Sequence, residues 1–250
     1  MFQTVVTLVE RPELEAQMPQ LHAESWPAFL QADAVAMRYW GRLFSTFPEY
    51  QYLLCDQSDA TIATGHAIPL AWDGTIEHLP AGWDAALEQG FHDAEQGLLP
   101  TVLCGLSIVI TAGAQGQGLS EALIQTMKAI AVADGLDRII IPVRPSLKSR
   151  YPLVPMQEYI RWQHDDGSAF DPWLRIHYRL GAQMLSLAPR SMTVTGTLSQ
   201  WEQWTGMRFL TSDLYQVEGA LEPVMIDCEH NTGCYEETNV WVCYSGLRLP

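Results

Sequence analysis

A glycine-rich turn between an apolar strand and an amphipathic helix is the feature that most constrains this chain. Residues 112–120 read Ala-Gly-Ala-Gln-Gly-Gln-Gly-Leu-Ser, after the strand-like run Thr101–Thr111 and at the start of the helical run Leu119–Ala133. Glycine accepts tight, left-handed turns, and a helix N-terminus presents unpaired backbone N–H groups to an anion. The segment therefore predicts a phosphate-binding turn in a protein of the α/β class.

Two common phosphate-binding patterns do not fit this turn. A Walker loop requires lysine after its second glycine, and Leu119 stands there. A dinucleotide fingerprint requires a third glycine where the chain has Glu121. ATPase and Rossmann chemistry are therefore disfavoured. The pattern that remains is Q/R-x-x-G-x-G/A, which fits at Gln115 and Gly118 and departs at Ser120.

This turn and its flanking elements resemble the GNAT superfamily of acyl-CoA N-acyltransferases. The resemblance covers the strand before the turn, the helix after it, the strand Arg138–Val143 and the short helix Trp173–Gly181. It implies an α/β (α+β) fold with a mixed, mainly antiparallel sheet and helices on both faces. It also implies acetyl-CoA or another acyl-CoA as co-substrate, without a metal.

The resemblance further implies where coenzyme A binds. Ile110 and neighbouring backbone would line the pantetheine arm, and the turn would hold the pyrophosphate. The turn residues carried over are Gln115, Gly116, Gln117, Gly118, Leu119 and Ser120. Arg144, Lys148 and Arg150 form the densest positive cluster, and we expect Lys148 and Arg150 to meet the 3′-phosphate. A solvated loop is the alternative for this cluster.

The short helix carries two candidate catalytic residues. The family's thiolate-protonating tyrosine, four residues before a glycine, corresponds by position to His177, and Tyr178 follows one residue later. One residue rotates a helical side chain by about 100°, so the two cannot both point at one sulfur. We favour His177, which would donate a proton if protonated or otherwise orient a water. Tyr178 is the substitute, and a packing role is the alternative for His177.

The sequence does not single out a base for the acceptor amine. Thr101–Thr111 carries no acidic residue, which removes a common family position for it. His66 and Glu24, with His22, are the candidates on the acceptor side. The aromatic residues of the second insertion would wall an acceptor pocket, act as a lid or form a secondary core; they are Tyr151, Tyr159, Trp162 and Phe170, with Trp173.

Charge and composition limit the partners. Fourteen basic against 29 acidic residues give a net charge of −15, which disfavours nucleic acid. No apolar run is long enough to span a bilayer, and no basic segment precedes the first apolar stretch, so we predict a cytoplasmic protein without membrane contact. The five cysteines are expected to be reduced. A zinc site among Cys228, His230, Cys234 and Cys243 is disfavoured because no C-x-x-C pair is present.

The hydrophobic patterns predict a core with a long C-terminal addition. Residues 1–190 would form the acyl-CoA-binding core, with insertions near 73–100 and 144–170. Residues 191–250, with one helix near Ser199–Trp204, would form a β-rich extension of the same sheet. That extension would complete the last strand pair, cover the acceptor site or form a homodimer.

Three functions remain open at this point. The leading hypothesis is direct transfer of an acyl group, most simply acetyl, from acyl-CoA to an amine of a small molecule. The second is a non-catalytic GNAT-fold protein with an acyl-CoA-binding or regulatory role. The missing strand carboxylate and the shifted tyrosine indicate it. Acyl transfer to a carrier thiol or hydroxyl is the third, because the fold does not fix the acceptor.

Overall fold

The computed structural model describes residues 4–248, in which nine strands and seven α-helices are defined. The strands are β1 (Thr4–Thr7), β2 (Gln51–Cys55), β3 (Thr61–Leu70), β4 (Val102–Ile110), β5 (Arg138–Val143), β6 (Gln183–Gly196), β7 (Asp213–Tyr215), β8 (Val224–Asp227) and β9 (Thr232–Ser245). The helices are α1 (Met18–Ser25), α2 (Ala34–Thr46), α3 (Trp83–Glu95), α4 (Leu119–Ala133), α5 (Met156–Tyr159), α6 (Pro172–Arg179) and α7 (Leu198–Thr205). Among the described residues, no helix is both long and apolar enough to cross a membrane.

All nine strands join one sheet. Its order is β1-β2-β3-β4-β5-β9-β8-β7, and β6 pairs with β9 beside this path. Every pairing is antiparallel except that of β4 with β5, which is parallel. The predicted mixed, mainly antiparallel sheet is confirmed.

The parallel pair β4–β5 separates soon after it begins. The two strands pair through Leu103 and Cys104 of β4, after which β4 continues to Ile110 and β5 to Val143. β4 also carries a bulge at Leu106, because the register against β3 shifts there by one residue. A bulge bends and twists its strand. The result is an opening in the middle of the sheet.

Helices cover both faces of the sheet. On one face α3 packs against β3, where Gly90 gives the close approach to Ile68. On the opposite face α4 packs against β4, where Met127 lies over Gly105. The turn before α4 ends at Gly118, the N-cap, whose φ of 79° favours glycine.

The N-terminal elements differ from those that the sequence pattern predicts. The pattern predicts one helix over Pro12–Trp26, but Pro12–Gln17 forms a 3₁₀ turn and α1 follows. Pro19 lies at the start of α1 because proline has no N–H to continue a preceding helix. The pattern also predicts a first strand over Phe2–Val9, of which Phe2 lies outside the described residues and Thr4–Thr7 forms β1.

The C-terminal segment is part of the central sheet. β6 runs through position 190, where the sequence predicted the end of the core. One edge of β9 pairs with β5 through residues 240–245 and with β8 through residues 232–234, and its other edge pairs with β6. Residues Val240–Tyr244 are all buried, as a strand covered on both faces requires. The segment therefore completes the sheet next to the opening.

The C-terminal thiols belong to strands and packing contacts. Cys243 is buried on β9, and the Cys228 thiol lies against the carbonyl of Phe209. His230 pairs with Asp227 at 2.7 Å. Within residues 4–248 no group of three or more potential metal ligands is placed to hold an ion, and all five cysteines are free.

Candidate active site

The opening between β4 and β5 leads into a cavity of about 840 Å³. One wall is β4 from Gly105 to Thr111, and the facing wall is the end of β5, from Ile141 to Arg144. We name the two ends of the cavity after the helices beside them, as the α4 side and the α3 side. The α4 side is lined by Gln115, Gly116, Ser120, Trp173, Ile176 and His177. The α3 side is lined by Trp26, Pro27, Trp83, Met192 and Asn239.

The glycine-rich turn presents unused backbone donors to the α4 side. Among the described residues, the N–H groups of residues 115–120 have no hydrogen-bond acceptor. Gly116 and Gly118 adopt left-handed φ values of 76° and 79°, and an added Cβ at either would contact nothing. Glycine is therefore needed here for the path of the backbone. Six free amides at the N-terminus of a 15-residue helix form a binding site for an anion.

The predicted turn residues contribute in two ways. Ile110, Gln115, Gly116 and Ser120 line the cavity, and the Gln115 amide donates to the Ile110 carbonyl at 3.3 Å. The side chain of Leu119 is buried in the core. It therefore anchors the helix. Gln117 and Gly118 do not line the cavity. Like Leu119, they contribute only their backbone N–H groups to the turn.

A cation that the sequence analysis overlooked lies beside this turn. Arg179, at the end of α6, pairs with Glu121 at 2.8 Å, in the first turn of α4. Its side chain is 64% exposed. This pair compensates the negative charge of Glu121 next to the amides. No local pattern reveals it, because the two residues are 58 positions apart.

The predicted phosphate-binding role of Lys148 is corrected by the structure. Its side chain is fully buried, and Nζ donates to the carbonyl oxygens of Leu221 at 2.5 Å and Tyr151 at 3.0 Å. A buried amine that serves two carbonyls cannot reach a phosphate outside. Arg150 is exposed but does not line the cavity, so its contact with the 3′-phosphate stays a prediction.

We expect Lys148→Met to destabilise the fold without weakening coenzyme A binding. The change leaves two buried carbonyls without a donor, which costs about 2 kcal/mol and lowers the melting temperature by about 4–8 °C. Thermal unfolding and calorimetric titration measure the two effects. Arg150→Met is the matched control and should leave the melting temperature unchanged. Weaker coenzyme A binding by Lys148→Met at unchanged stability would restore the phosphate role.

Arg144, the third member of the cluster, lies at the end of β5 and lines the cavity. Its Nε donates to both carboxylate oxygens of Glu237, at 3.0 and 2.9 Å, and Nη2 donates to the carbonyl of Gly219. Glu237 is fully buried and also accepts from Tyr235 and Asn239. The guanidinium is therefore neutralised by its partner and braces the cavity wall.

A chain of hydrogen bonds connects this ion pair to α3. Asn239 accepts from the Ser191 hydroxyl at 2.5 Å, and Ser191 accepts from the backbone N–H of Trp83 at 2.9 Å. The indole of Trp83 donates to the carbonyl of Leu106, in the β4 bulge, at 2.8 Å. These contacts hold the α3 side of the cavity in one arrangement. The hydroxyl of Ser107, next to the bulge, is buried and has no partner among the residues that the structure describes.

His177 is fully buried and lines the cavity from α6. Its Nδ1 lies 2.7 Å from the hydroxyl of Tyr244, and its Nε2 has no partner within the described part of the chain. Burial, with a smaller effect of Lys128, lowers the pKa of His177 to about 3. The imidazole is therefore neutral near pH 7, which excludes the imidazolium as a proton donor. An unpaired ring nitrogen at the wall of a cavity is available to a ligand.

Tyr178 lies away from the cavity wall. Its ring is half-buried against the core, as the helical rotation between adjacent residues requires. α6 is oriented by its N-cap Asp171, which accepts from the N–H groups of Trp173 and Leu174 at 2.9 and 3.2 Å. The structure therefore brings His177, rather than Tyr178, to the opening.

The predicted substrate contact of His66 is also corrected. His66 is fully buried, with Nδ1 at 3.0 Å from Gln51 and Nε2 at 3.0 Å from Nε2 of His22. Burial lowers the pKa of His22 to about 4 and that of His66 well below its usual value. Both rings therefore join α1 to the sheet as neutral groups, and neither lines the cavity. Glu24 is on α1, but its side chain lies outside the described part of the chain.

Two carboxylates lie behind the α3 side, one from the fully buried Asp33 and one from the half-buried Asp84. Asp84 follows Trp83, and its Oδ2 accepts from the N–H of Thr193 at 3.0 Å. Asp33 caps α2 through the N–H of Ala36. Each retains one oxygen without a partner among the described residues. Burial and the neighbouring Asp33 raise the pKa of Asp84 to about 8.

The aromatic residues of the second insertion form a secondary core. Tyr151, Tyr159, Trp162 and Phe170 pack on one another with ring centroids 4.9–6.2 Å apart. They are therefore not a pocket wall. Trp173 differs, because it lines the cavity with its ring centroid 4.7 Å from that of His177.

Comparison with known proteins agrees with this geometry. The chain is 32% identical to an arginine N-acetyltransferase, avaD, of Aspergillus versicolor, over an alignment 269 residues long with its gaps. The alignment covers 95% of this chain and 92% of that protein. Its fold resembles the loading GNATL domain of CurA from Lyngbya majuscula, with a TM-score of 0.62, 17% identity and 98% of both chains covered. It also resembles the GphF GNAT-like decarboxylase in complex with isobutyryl-CoA, with a TM-score of 0.56, 15% identity and 98% and 99% covered. No protein-family model matches the chain.

The structure has the parallel strand pair that opens beside a glycine-rich turn, which is the arrangement that the resemblance to acyl-CoA N-acyltransferases implies. With the extended identity to an N-acetyltransferase, this shows that the chain belongs to the GNAT superfamily. It is an acyl-CoA-dependent N-acyltransferase that acts on an amine of a small molecule. The leading functional hypothesis is confirmed.

Proposed function

We propose that the acceptor is arginine or a small molecule that carries an arginine side chain, and that the group transferred is acetyl. The observation that carries this proposal is the 32% identity to an arginine N-acetyltransferase along 95% of the chain. The cavity volume of about 840 Å³ lies within the range of about 300–1,000 Å³ that is typical of small-molecule and cofactor sites.

The charge distribution supports a cationic acceptor. The chain carries a net charge of −15, and a negative field attracts cations to the surface. Behind the α3 side, Asp33 and Asp84 each retain a carboxylate oxygen that no described residue pairs with. A cation bound on that side would favour the ionised form of Asp84, whose pKa is otherwise raised by burial.

The proposed site divides the work between the two sides of the cavity. The amides of residues 115–120 hold the pyrophosphate, and Ile110 lies along the pantetheine arm. His177 faces the thioester, and the acceptor enters from the α3 side. Glu24 remains the proposed base, on the helix that places Leu21 and Ser25 at the cavity. The cytoplasmic location and the homodimer stay predictions from the sequence.

Incubation of the purified protein with acetyl-CoA and single amines tests this proposal. We expect saturable release of coenzyme A with L-arginine, and a product heavier by one acetyl group in mass spectrometry. Agmatine and lysine are the comparison acceptors. Agmatine retains the guanidine group of arginine without its carboxylate, and lysine retains the amino-acid part without the guanidine group. Tight binding of acetyl-CoA without turnover of any arginine compound would contradict the proposed acceptor.

A further inference from the structure

Tyr244 of β9 makes a contact with His177 that the sequence analysis did not anticipate. Its hydroxyl lies 2.7 Å from Nδ1 of His177 and 3.5 Å from the backbone carbonyl of the same residue. Both side chains are buried, with 2% and 0% of their surfaces exposed. The C-terminal segment thus supplies a partner to the side chain at the opening.

The two distances favour one direction for this hydrogen bond. A phenol hydrogen needs an acceptor when it is buried, and the carbonyl at 3.5 Å is beyond the usual O–H···O distance of about 2.5–3.0 Å. The ring nitrogen at 2.7 Å is within range. Donation from Tyr244 to Nδ1 of His177 is therefore the favoured arrangement, and it requires that nitrogen to be unprotonated.

The surroundings of His177 keep its ring neutral. No carboxylate among the described residues contacts it, and its ring neighbours are the aromatic side chains of Trp173 and Tyr244. The ammonium of Lys128 lies 4.2 Å from the centroid of the Tyr244 ring and donates to the carbonyl of Leu180 at 2.8 Å. This fixed positive charge opposes a second one on the imidazole. A neutral ring that accepts at Nδ1 carries its hydrogen on Nε2.

We propose that Tyr244 is a positioning residue that holds His177 in the Nε2–H form, so that this N–H is a hydrogen-bond donor to the reacting thioester. The proposal rests on the proposed role of the cavity as the acyl-transfer site. Nε2 is the ring atom without a partner among residues 4–248 as the structure describes them, and His177 lines the cavity. The other tautomer would present a lone pair, which repels a departing thiolate.

The assigned role is hydrogen-bond donation without proton release. The acceptor nitrogen forms the new bond to the acyl carbon, and the C–S bond breaks with its electron pair going to sulfur. The proton lost by the acceptor nitrogen ends on that thiolate to give free coenzyme A. His177 Nε2–H stabilises the negative charge while it develops, as a neutral imidazole does in triosephosphate isomerase, and keeps its own hydrogen.

Nitrogen NMR of the unaltered protein tests the tautomer directly. With imidazole-labelled histidine, and with His177→Asn to assign the signal, we expect Nε2 to carry hydrogen and Nδ1 not to. This measurement needs no Tyr244 variant to fold. A ring protonated on Nδ1 would overturn the proposal, and so would a doubly protonated ring near pH 7.

Kinetics of Tyr244→Phe test the consequence. Loss of the hydroxyl frees the ring both to change tautomer and to turn Nε2 away from the thioester, so we expect kcat to fall about tenfold while KM for acetyl-CoA and the melting temperature change little. In a His177→Gln background the amide has no tautomers, so adding Tyr244→Phe should cost less than twofold. An equal loss in both backgrounds, or no loss in either, would overturn the role of Tyr244.

Failure of the proposed acceptor would be recognised separately. If arginine is not acetylated, the NMR signal still reports the tautomer, and any accepted amine serves for the kinetics. If arginine is acetylated and His177 carries its hydrogen on Nδ1, the proposed function stands and the inference about Tyr244 falls.

Discussion

His177→Asn is expected to lower kcat for acetyl transfer about a hundredfold and to leave KM for acetyl-CoA nearly unchanged. Asparagine keeps an acceptor near the position of Nδ1, so the contact with Tyr244 survives, but it has no donor at the position of Nε2. Removal of one donor to a developing negative charge costs about 10²–10³ in kcat. Steady-state kinetics at saturating acceptor separate the two constants.

Two matched variants make this result specific. Tyr178→Phe alters the adjacent residue, which lies away from the cavity, and should leave kcat unchanged. His177→Gln brings an amide N–H near the position of Nε2 and should recover a large part of the lost rate. If His177→Asn retained full activity while its melting temperature fell, the packing interpretation of His177 would be correct.

Gly118→Ala is expected to weaken acetyl-CoA binding about tenfold. Gly118 has a φ of 79°, which costs an alanine roughly 1–2 kcal/mol, and relief of that strain moves the amides of Leu119 and Ser120. A loss of 1.4 kcal/mol corresponds to about a tenfold change in affinity. Calorimetric titration with acetyl-CoA measures it.

Gly113→Ala is the control within the same turn. Gly113 has no left-handed φ, and an added Cβ there would contact nothing, so its replacement should leave the dissociation constant unchanged. Equal weakening by both variants would show that the effect comes from general loss of glycine flexibility. Unchanged binding by Gly118→Ala would remove the amides of the turn from the coenzyme A site.

Local sequence patterns were enough to predict the elements β4, α4 and α6 beside the opening. The periodicity of Thr101–Thr111 and Leu119–Ala133, and the glycines between them, predicted β4, the turn and α4 to within one residue. The same reasoning placed α6 and put His177 one helical step from Tyr178. Such signals are readable because backbone geometry and side-chain periodicity are set by near neighbours in the chain.

Hydrogen-bond partners that lie far apart in the sequence could not be predicted from it. The cluster of Lys148 and Arg150 looked like one positive surface, but Lys148 turns inward to the carbonyl of Leu221, 73 residues away. His66 looked accessible to substrate, but its ring nitrogens are used by Gln51 and His22. In both cases burial removed a polar group from solvent, and the need for a partner then fixed its role.

By itself the sequence determined an α/β core and predicted a phosphate-binding turn, because glycine positions, helix starts and apolar periodicity specify local structure; acyl-CoA as the ligand followed from the resemblance to the GNAT superfamily. Only the tertiary structure decided which groups face the opening. β9 alternates its side chains, so that Asn239 reaches the α3 side and Tyr244 reaches His177 on the other. That arrangement depends on the pairing of β9 with β5, about 100 residues apart in the chain. A contact made by strand pairing over that distance leaves no local pattern in the sequence.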